Sequence, residues 1–151
     1  MALDTALAGT VHPPEGVHVV DRAAIRAFAE AVGAHSPAHT DPAAARALGH
    51  PDVVAPPTFV FRAVKESCDQ VLASPALGLS PEARLVHADQ RIAHHRPVRA
   101  GDRLAVTVHL EAVKRLGGND VLRMRAEVRD GAGEPVADAH LTVVAKDGGP
   151  A

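Results

Sequence analysis

Aromatic side chains are almost missing from this sequence. Of its 151 residues 2% are aromatic, with three Phe and neither Trp nor Tyr. That argues against the stacking platforms used to hold single-stranded nucleic acid, and leaves Val, Leu, Ile and Ala to build the core. A single cysteine, Cys68, rules out an internal disulfide; it falls in a predicted helix and reads as a small core residue. No stretch approaches the roughly 18 apolar residues of a membrane span. The opening MALDTALAGTVHPP lacks the basic region and apolar run of a signal peptide, so a cytoplasmic chain is expected. The formal charge of −2 gives no electrostatic reason for DNA or an anionic membrane. P-loop, GxSxG and Rossmann fingerprints are also missing.

What is present fits one globular domain over residues 1–151. Hydrophobic residues make up 46% and charged residues 23%, ordinary proportions for a chain long enough to bury a substantial core. The first 15 residues are expected to be irregular or to hold one short helix, and Val17–Val20 is a brief β-like run. Asp21 is a helix N-cap. After it Ile25, Phe28, Ala29 and Val32 fall at i, i+3, i+4 and i+7, one face of an amphipathic helix that Gly33 ends. Asp41-Pro42 starts a second, short helix that stops at Gly49. From Thr58 a longer helix is predicted, with apolar residues around its first two turns, the pattern of a buried helix.

Beyond residue 84 the period changes to two. Leu104, Val106, Val108, Leu110 and Ala112 share one face. Leu122, Met124, Ala126 and Val128 alternate in the same way, and so do Ala137, Ala139, Leu141, Val143 and Ala145. Arg84–Val98 reads as a longer, more polar strand, and turns fall at Gly117–Asp120 and Asp130–Gly133. The tail KDGGPA is expected to fray. Helices followed by antiparallel strands make an α+β chain, in which one sheet can bury its apolar face around the long helix as in the hot-dog architecture, which periodicity alone does not single out from other α+β folds.

The chemistry-bearing residues fall in the loop after the first helix and around the Arg84–Val98 strand. His35 and His39 flank Pro37, which breaks the helical spacing that a metal would need, so no metal site is expected. His94 and His95 are adjacent in a strand and point to opposite faces, so they cannot chelate together. Arg91, Arg96, Arg99 and Arg103 form a local basic cluster, either a solvated face or a landing site for an acidic carrier protein or CoA phosphates.

Two stretches, GAHSPAHTDPAAARALGHPDVVAPPTF and LVHADQRIAHHRPVRAGDRL, resemble the MaoC-like hydratase/dehydratase family. More narrowly they resemble the amino-terminal dehydratase domain of actinobacterial (3R)-hydroxyacyl-ACP dehydratase subunits. The resemblance implies a hot-dog fold, dimers of such units and thioester-linked acyl substrates. The family's signature is similar to G-D-x-N-P-x-H, whose Asp and His act together on one water or hydroxyl. On this sequence the glycine is Gly33, the proline Pro37 and the histidine His39. Ala34 occupies the aspartate position and Ser36 the asparagine position. His39 is thus the candidate base, and Ala34 cannot serve as an acid. The resemblance also implies that backbone N–H groups at the start of the long helix polarise the thioester carbonyl, which makes Thr58 and Phe59 the candidates. Ser36, Arg96 and Arg99 complete the substrate-binding set. No cofactor is implied, since the substrate rides on the phosphopantetheine of an acyl carrier protein or on CoA.

Three functions stay open on the sequence. The chain is a subunit of a dehydratase in fatty-acid or polyketide synthesis, paired with a MaoC-like partner that carries the intact dyad. Or it is a self-sufficient homodimeric hydratase using His39 with a substitute acid, for which Asp41, Asp52 and Asp89 are candidates. Or it binds acyl thioesters without chemistry. Acyl chain length, carrier, and homo- or heterodimer are not encoded legibly.

Overall fold

A computed structural model describes residues 3–146; apart from Lys146, the tail expected to fray lies outside them. The elements run β1 (Thr10–His12), β2 (His18–Val19), α1 (Arg22–Val32), α2 (Pro42–Ala47), α3 (Phe61–Ala73), β3 (Arg84–His94), β4 (Arg103–Leu116), β5 (Asn119–Arg129) and β6 (Pro135–Lys146), with 3-10 turns at Thr5–Leu7, Pro37–His39 and Pro75–Leu77. The strands form an antiparallel sheet in the order β1-β4-β5-β6-β3, and β2 pairs separately with β4. The apolar face of this sheet packs on α3, which is the hot-dog arrangement.

The alternation read from β4, β5 and β6 is what fills the core. Leu104, Val106, Val108 and Leu110 from β4, Leu122, Met124, Ala126 and Val128 from β5, and Ala137 and Ala139 from β6 are all at most 2% exposed. Against them α3 buries Ala63, Val64, Cys68, Val71 and Leu72. One phase of the pattern differs from the sequence reading. A bulge between Leu110 and Ala112 inserts Glu111 as an extra residue, so Val113 rather than Ala112 continues the buried face.

Local rules account for the helices. Asp21 Oδ1 accepts from the N–H of Ala24 at 2.7 Å, Ile25 and Ala29 are buried, and Gly33 closes α1 at φ 70°, a left-handed turn that a side chain disfavours. In α2 the cap is Asp41, which accepts from Ala43, with Pro42 as the first helical residue. Two expectations change. α3 is not buried all round, because Arg62, Lys65, Glu66, Asp69 and Gln70 line an exposed face. It also begins at Phe61 rather than Thr58, after a tight turn over 57–60 closed by Phe59 N–H to the Pro56 carbonyl and Phe61 N–H to that of Thr58.

The leader contributes β1, too short to read from three residues followed by Pro13-Pro14. β3 stops at His94, four residues before the sequence suggested, because the chain then turns to pair Arg99 with Val54. Nearly all of β3 is exposed. Among the described residues no strand covers its outer edge.

Candidate functional site

The site grows from the loop that follows α1. Gly33 ends the helix, Ser36 Oγ accepts from Ala38 N–H, and Pro37 opens a 3-10 turn whose last residue is His39. The loop is stitched to the segment 53–58 twice. Val54 N–H donates to the Ala38 carbonyl at 3.0 Å, and the His39 ring reaches the Val54 carbonyl, with Nδ1 2.6 Å from the oxygen. A carbonyl oxygen can only accept, so Nδ1 carries the proton and the neutral ring keeps its lone pair on Nε2. His39 is half-buried. That is the form a general base requires.

Segment 54–57 is pinned along its length. Ala55 N–H donates to the Val98 carbonyl at 2.8 Å, the Pro56 carbonyl accepts from Phe59 N–H, and the Pro57 carbonyl accepts from His94 Nε2 at 2.8 Å. His39, Val54, Pro57, His94, Arg96 and Val98 are among the residues around a cavity of about 500 Å³. No carboxylate lines it. A larger cavity of about 860 Å³, against the exposed face of α3, shares none of these residues.

The other proposed substrate-binding residues separate into two groups. Thr58 is exposed, and its N–H has no partner among the described residues. Phe59 N–H is held by Pro56, and its ring is buried edge-on against Phe28 at 5.4 Å, with Arg62 stacked over it. Only Thr58 therefore has its amide open. Ser36 is occupied as a cap. Arg96, expected to meet anions, gives its guanidinium to Asp102 through two hydrogen bonds of 2.8 and 2.9 Å and to Asp130 at 3.0 Å. It is a wall of the cavity with its charge already met. These bonds raise its pKa further, and they hold the Asp130 carboxyl below its usual range. Arg99 is partly exposed, 4.0 Å from Asp102, and its backbone N–H donates to the same carboxylate.

None of the substitute acids reaches the cavity. Asp41 caps α2. Asp52 makes a bidentate pair with Arg22, both contacts 2.9 Å, which pulls its carboxyl down to about 2. Asp89 lines a separate cavity with Glu111 and Arg123. His35 is exposed. Burial pushes the Cys68 thiol up to about 12, which removes it as a nucleophile. Ser67 Oγ and His18 Nε2 lie 3.4 Å apart, with Glu66 3.5 Å from the other ring nitrogen. Ser67 sits in the interior of α3, however, where the backbone amides are spent on the helix and none is left to hold an oxyanion.

Sequence reasoning missed His94. It set His94 and His95 aside because alternate residues of a strand face opposite ways. Their partners do differ: His94 meets Pro57, and His95 Nε2 is 2.7 Å from Asp138. Nothing local in the sequence marks Pro57 as the partner of a residue so far along the chain.

The chain thus has a hot-dog fold, a Pro-pinned segment ahead of the central helix and a histidine held on it, and its likeness to known proteins gives its class as hydratase/dehydratase. Residues 6–139 match the family model described as the FAS1-like dehydratase domain region, and the chain belongs to that family. A UPF0336 protein of Streptomyces coelicolor is 53% identical over 146 residues, 97% of each chain. Among solved structures, a MaoC-like dehydratase superposes with a TM-score of 0.83 at 32% identity, over 93% of this chain and 42% of that one. The C-terminally truncated HadBC (3R-hydroxyacyl-ACP dehydratase) complex from Mycobacterium tuberculosis gives 0.80 at 31% identity, over 91% and 96%.

Proposed function

We propose that this chain is the thioester-binding subunit of a cytoplasmic (3R)-hydroxyacyl-thioester dehydratase in fatty-acid or polyketide synthesis, paired with a second hot-dog chain that carries the intact Asp/His dyad. One observation carries the reading. His39 presents a free Nε2 beside a cavity that no carboxylate lines, and Ala34 stands at the dyad's aspartate position. Dehydration removes a proton at C2 and protonates the hydroxyl that leaves C3, so a base alone does half of the work. Both proton transfers are therefore assigned to the partner's intact dyad, and this chain binds the thioester without carrying the chemistry.

The pairing is supported by β3. Its outer edge is uncovered among the described residues, and Leu85 and Val86 on it are 46% and 43% exposed. A bare edge strand with apolar side chains is a template for another strand, and the similar HadBC (3R-hydroxyacyl-ACP dehydratase) structure is itself a complex. This chain contributes the thioester cradle at Thr58 N–H. The carrier is a phosphopantetheine thioester, on acyl carrier protein or on CoA, and no other cofactor is required.

The test is reconstitution. The purified chain is titrated into a purified hot-dog subunit bearing the dyad, from the same cell, and hydration of trans-2-enoyl thioesters is followed. Activity that rises to a plateau at one-to-one stoichiometry supports the pairing. A partner that is fully active alone and unchanged by this chain contradicts it.

A further inference from the structure

We infer that His94 is a positioning residue for the thioester cradle, acting through the peptide between Pro57 and Thr58; this rests on the thioester-binding reading above. The His94 Nε2–H donates to the Pro57 carbonyl at 2.8 Å. That carbonyl and the Thr58 N–H belong to one peptide unit, which is trans, as are all described peptides. In a planar trans peptide the C=O and N–H point in opposite directions. Whatever holds the carbonyl therefore aims the amide.

The rest of the segment shows why a dedicated hold is needed. Ala55 N–H is tied to Val98, and the Pro56 carbonyl is tied to Phe59 N–H. Pro57 has no N–H of its own. The Pro57–Thr58 peptide is the central one of the turn that Phe59 N–H closes on the Pro56 carbonyl, and His94 is the side chain that holds it through its own carbonyl. A donor on the carbonyl also polarises the peptide and strengthens its N–H as a donor to a second acceptor. The ring of His94 comes from β3, whereas the amide it aims precedes α3. The edge strand and the cradle are thus joined through one hydrogen bond.

The experiment uses the full chain and hexanoyl-CoA labelled with carbon-13 at the thioester carbonyl, a saturated ligand that binds without turnover. Two quantities are read: affinity, and the infrared carbonyl stretch of the bound thioester. In the wild type the stretch moves to lower frequency on binding. His94→Gln keeps a side-chain N–H donor and retains that shift. His94→Glu at neutral pH can only accept and loses the shift, as does His94→Phe. His94 is exposed on an edge strand, so these replacements leave the core intact, and thermal melting confirms it. A shift that persists in both His94→Glu and His94→Phe overturns the inference and leaves thioester binding standing. A wild-type chain that does not bind the ligand overturns the thioester reading, and the inference with it.

Discussion

The ring of His39 and the carbonyl of Val54 meet with Nδ1 2.6 Å from the oxygen, and that contact decides which nitrogen of a half-buried histidine is left for chemistry. It also ties the loop after α1 to the segment before α3. Val54 is almost fully buried, so its carbonyl has no ready substitute in water. His39→Leu is expected to cost about 1–3 kcal/mol, the range for stranding a buried acceptor. Urea denaturation of the two proteins checks this, and an unchanged midpoint would mean that the carbonyl finds another donor.

Ala34 sits directly after the left-handed Gly33, where the family signature places its aspartate. Ala34→Asp restores the carboxylate at the position the family signature gives it, on the loop that also carries His39 with Nδ1 on the Val54 carbonyl. Hydration of a short trans-2-enoyl thioester by the chain alone, absent in the wild type, is expected to become measurable, since one placed proton-transfer group supplies on the order of 10²-fold or more. The gain should vanish when His39→Ala is added. A gain that survives the second change would place the chemistry elsewhere.

Edge pairing has its own test. Val86→Lys puts a charge on the bare apolar end of β3, the device by which edge strands avoid partners. Sedimentation should show weaker assembly with the dyad-bearing subunit, while circular dichroism stays native. Unaltered assembly would move the interface away from β3.

Acid sensitivity follows from three carboxylates shifted in the same direction. Arg22 holds Asp52 at about 2, Arg125 lowers Glu127, and Arg96 lowers Asp130. A carboxylate whose folded pKa is depressed contributes its full stability above the ordinary carboxylate range and loses it as pH falls through the folded value. For Asp52 that window runs from about pH 4 down to about pH 2. Arg22 is exposed, so solvent screens the pair and its share is small. Asp52→Asn should flatten the acid limb of a stability–pH curve within that window by lowering stability slightly at neutral pH, with almost no change below about pH 2. A curve that keeps its slope would assign the acid limb to other groups.

The ion pairs around Arg96 are a different case. Arg96 is 21% exposed and Asp102 7%, and two carboxylates from separate turns converge on one guanidinium. Arg96→Ala leaves the Asp102 carboxylate buried without that partner, at a cost of about 2–4 kcal/mol. Thermal unfolding measures it directly. A loss within the scatter of a surface substitution would show the network to be solvated in solution.

Much of this was legible because the signals are local. Asp21 and Gly33 bracket α1, and the alternation from Leu122 to Val128 and from Ala137 to Ala145 names the core residues of β5 and β6. The bulge at Glu111 was not legible, since an extra residue in a strand leaves no mark in a period-two pattern until the pairing partner is known. The start of α3 was misread for a related reason. Pro57-Thr58 looks like a helix start, but Phe59 N–H closes on Pro56 and delays the helix to Phe61. At the site the signature pointed to His39 as the candidate base and to Ala34 in the place of the aspartate. It gave no hint of His94, whose role depends on a carbonyl that only the fold brings near. Arg96 looked like a free cation because its carboxylate partners, Asp102 and Asp130, come from different turns.

The most direct test is a comparison of two preparations in one assay, hydration of trans-2-hexenoyl thioester. One is this chain alone; the other is this chain mixed with the dyad-bearing subunit, each examined with and without His39→Ala. The account predicts no turnover by the chain alone, full turnover in the mixture, and little loss in the mixture when His39 is replaced. Turnover by the chain alone that disappears with His39→Ala would contradict it and make this a self-sufficient hydratase.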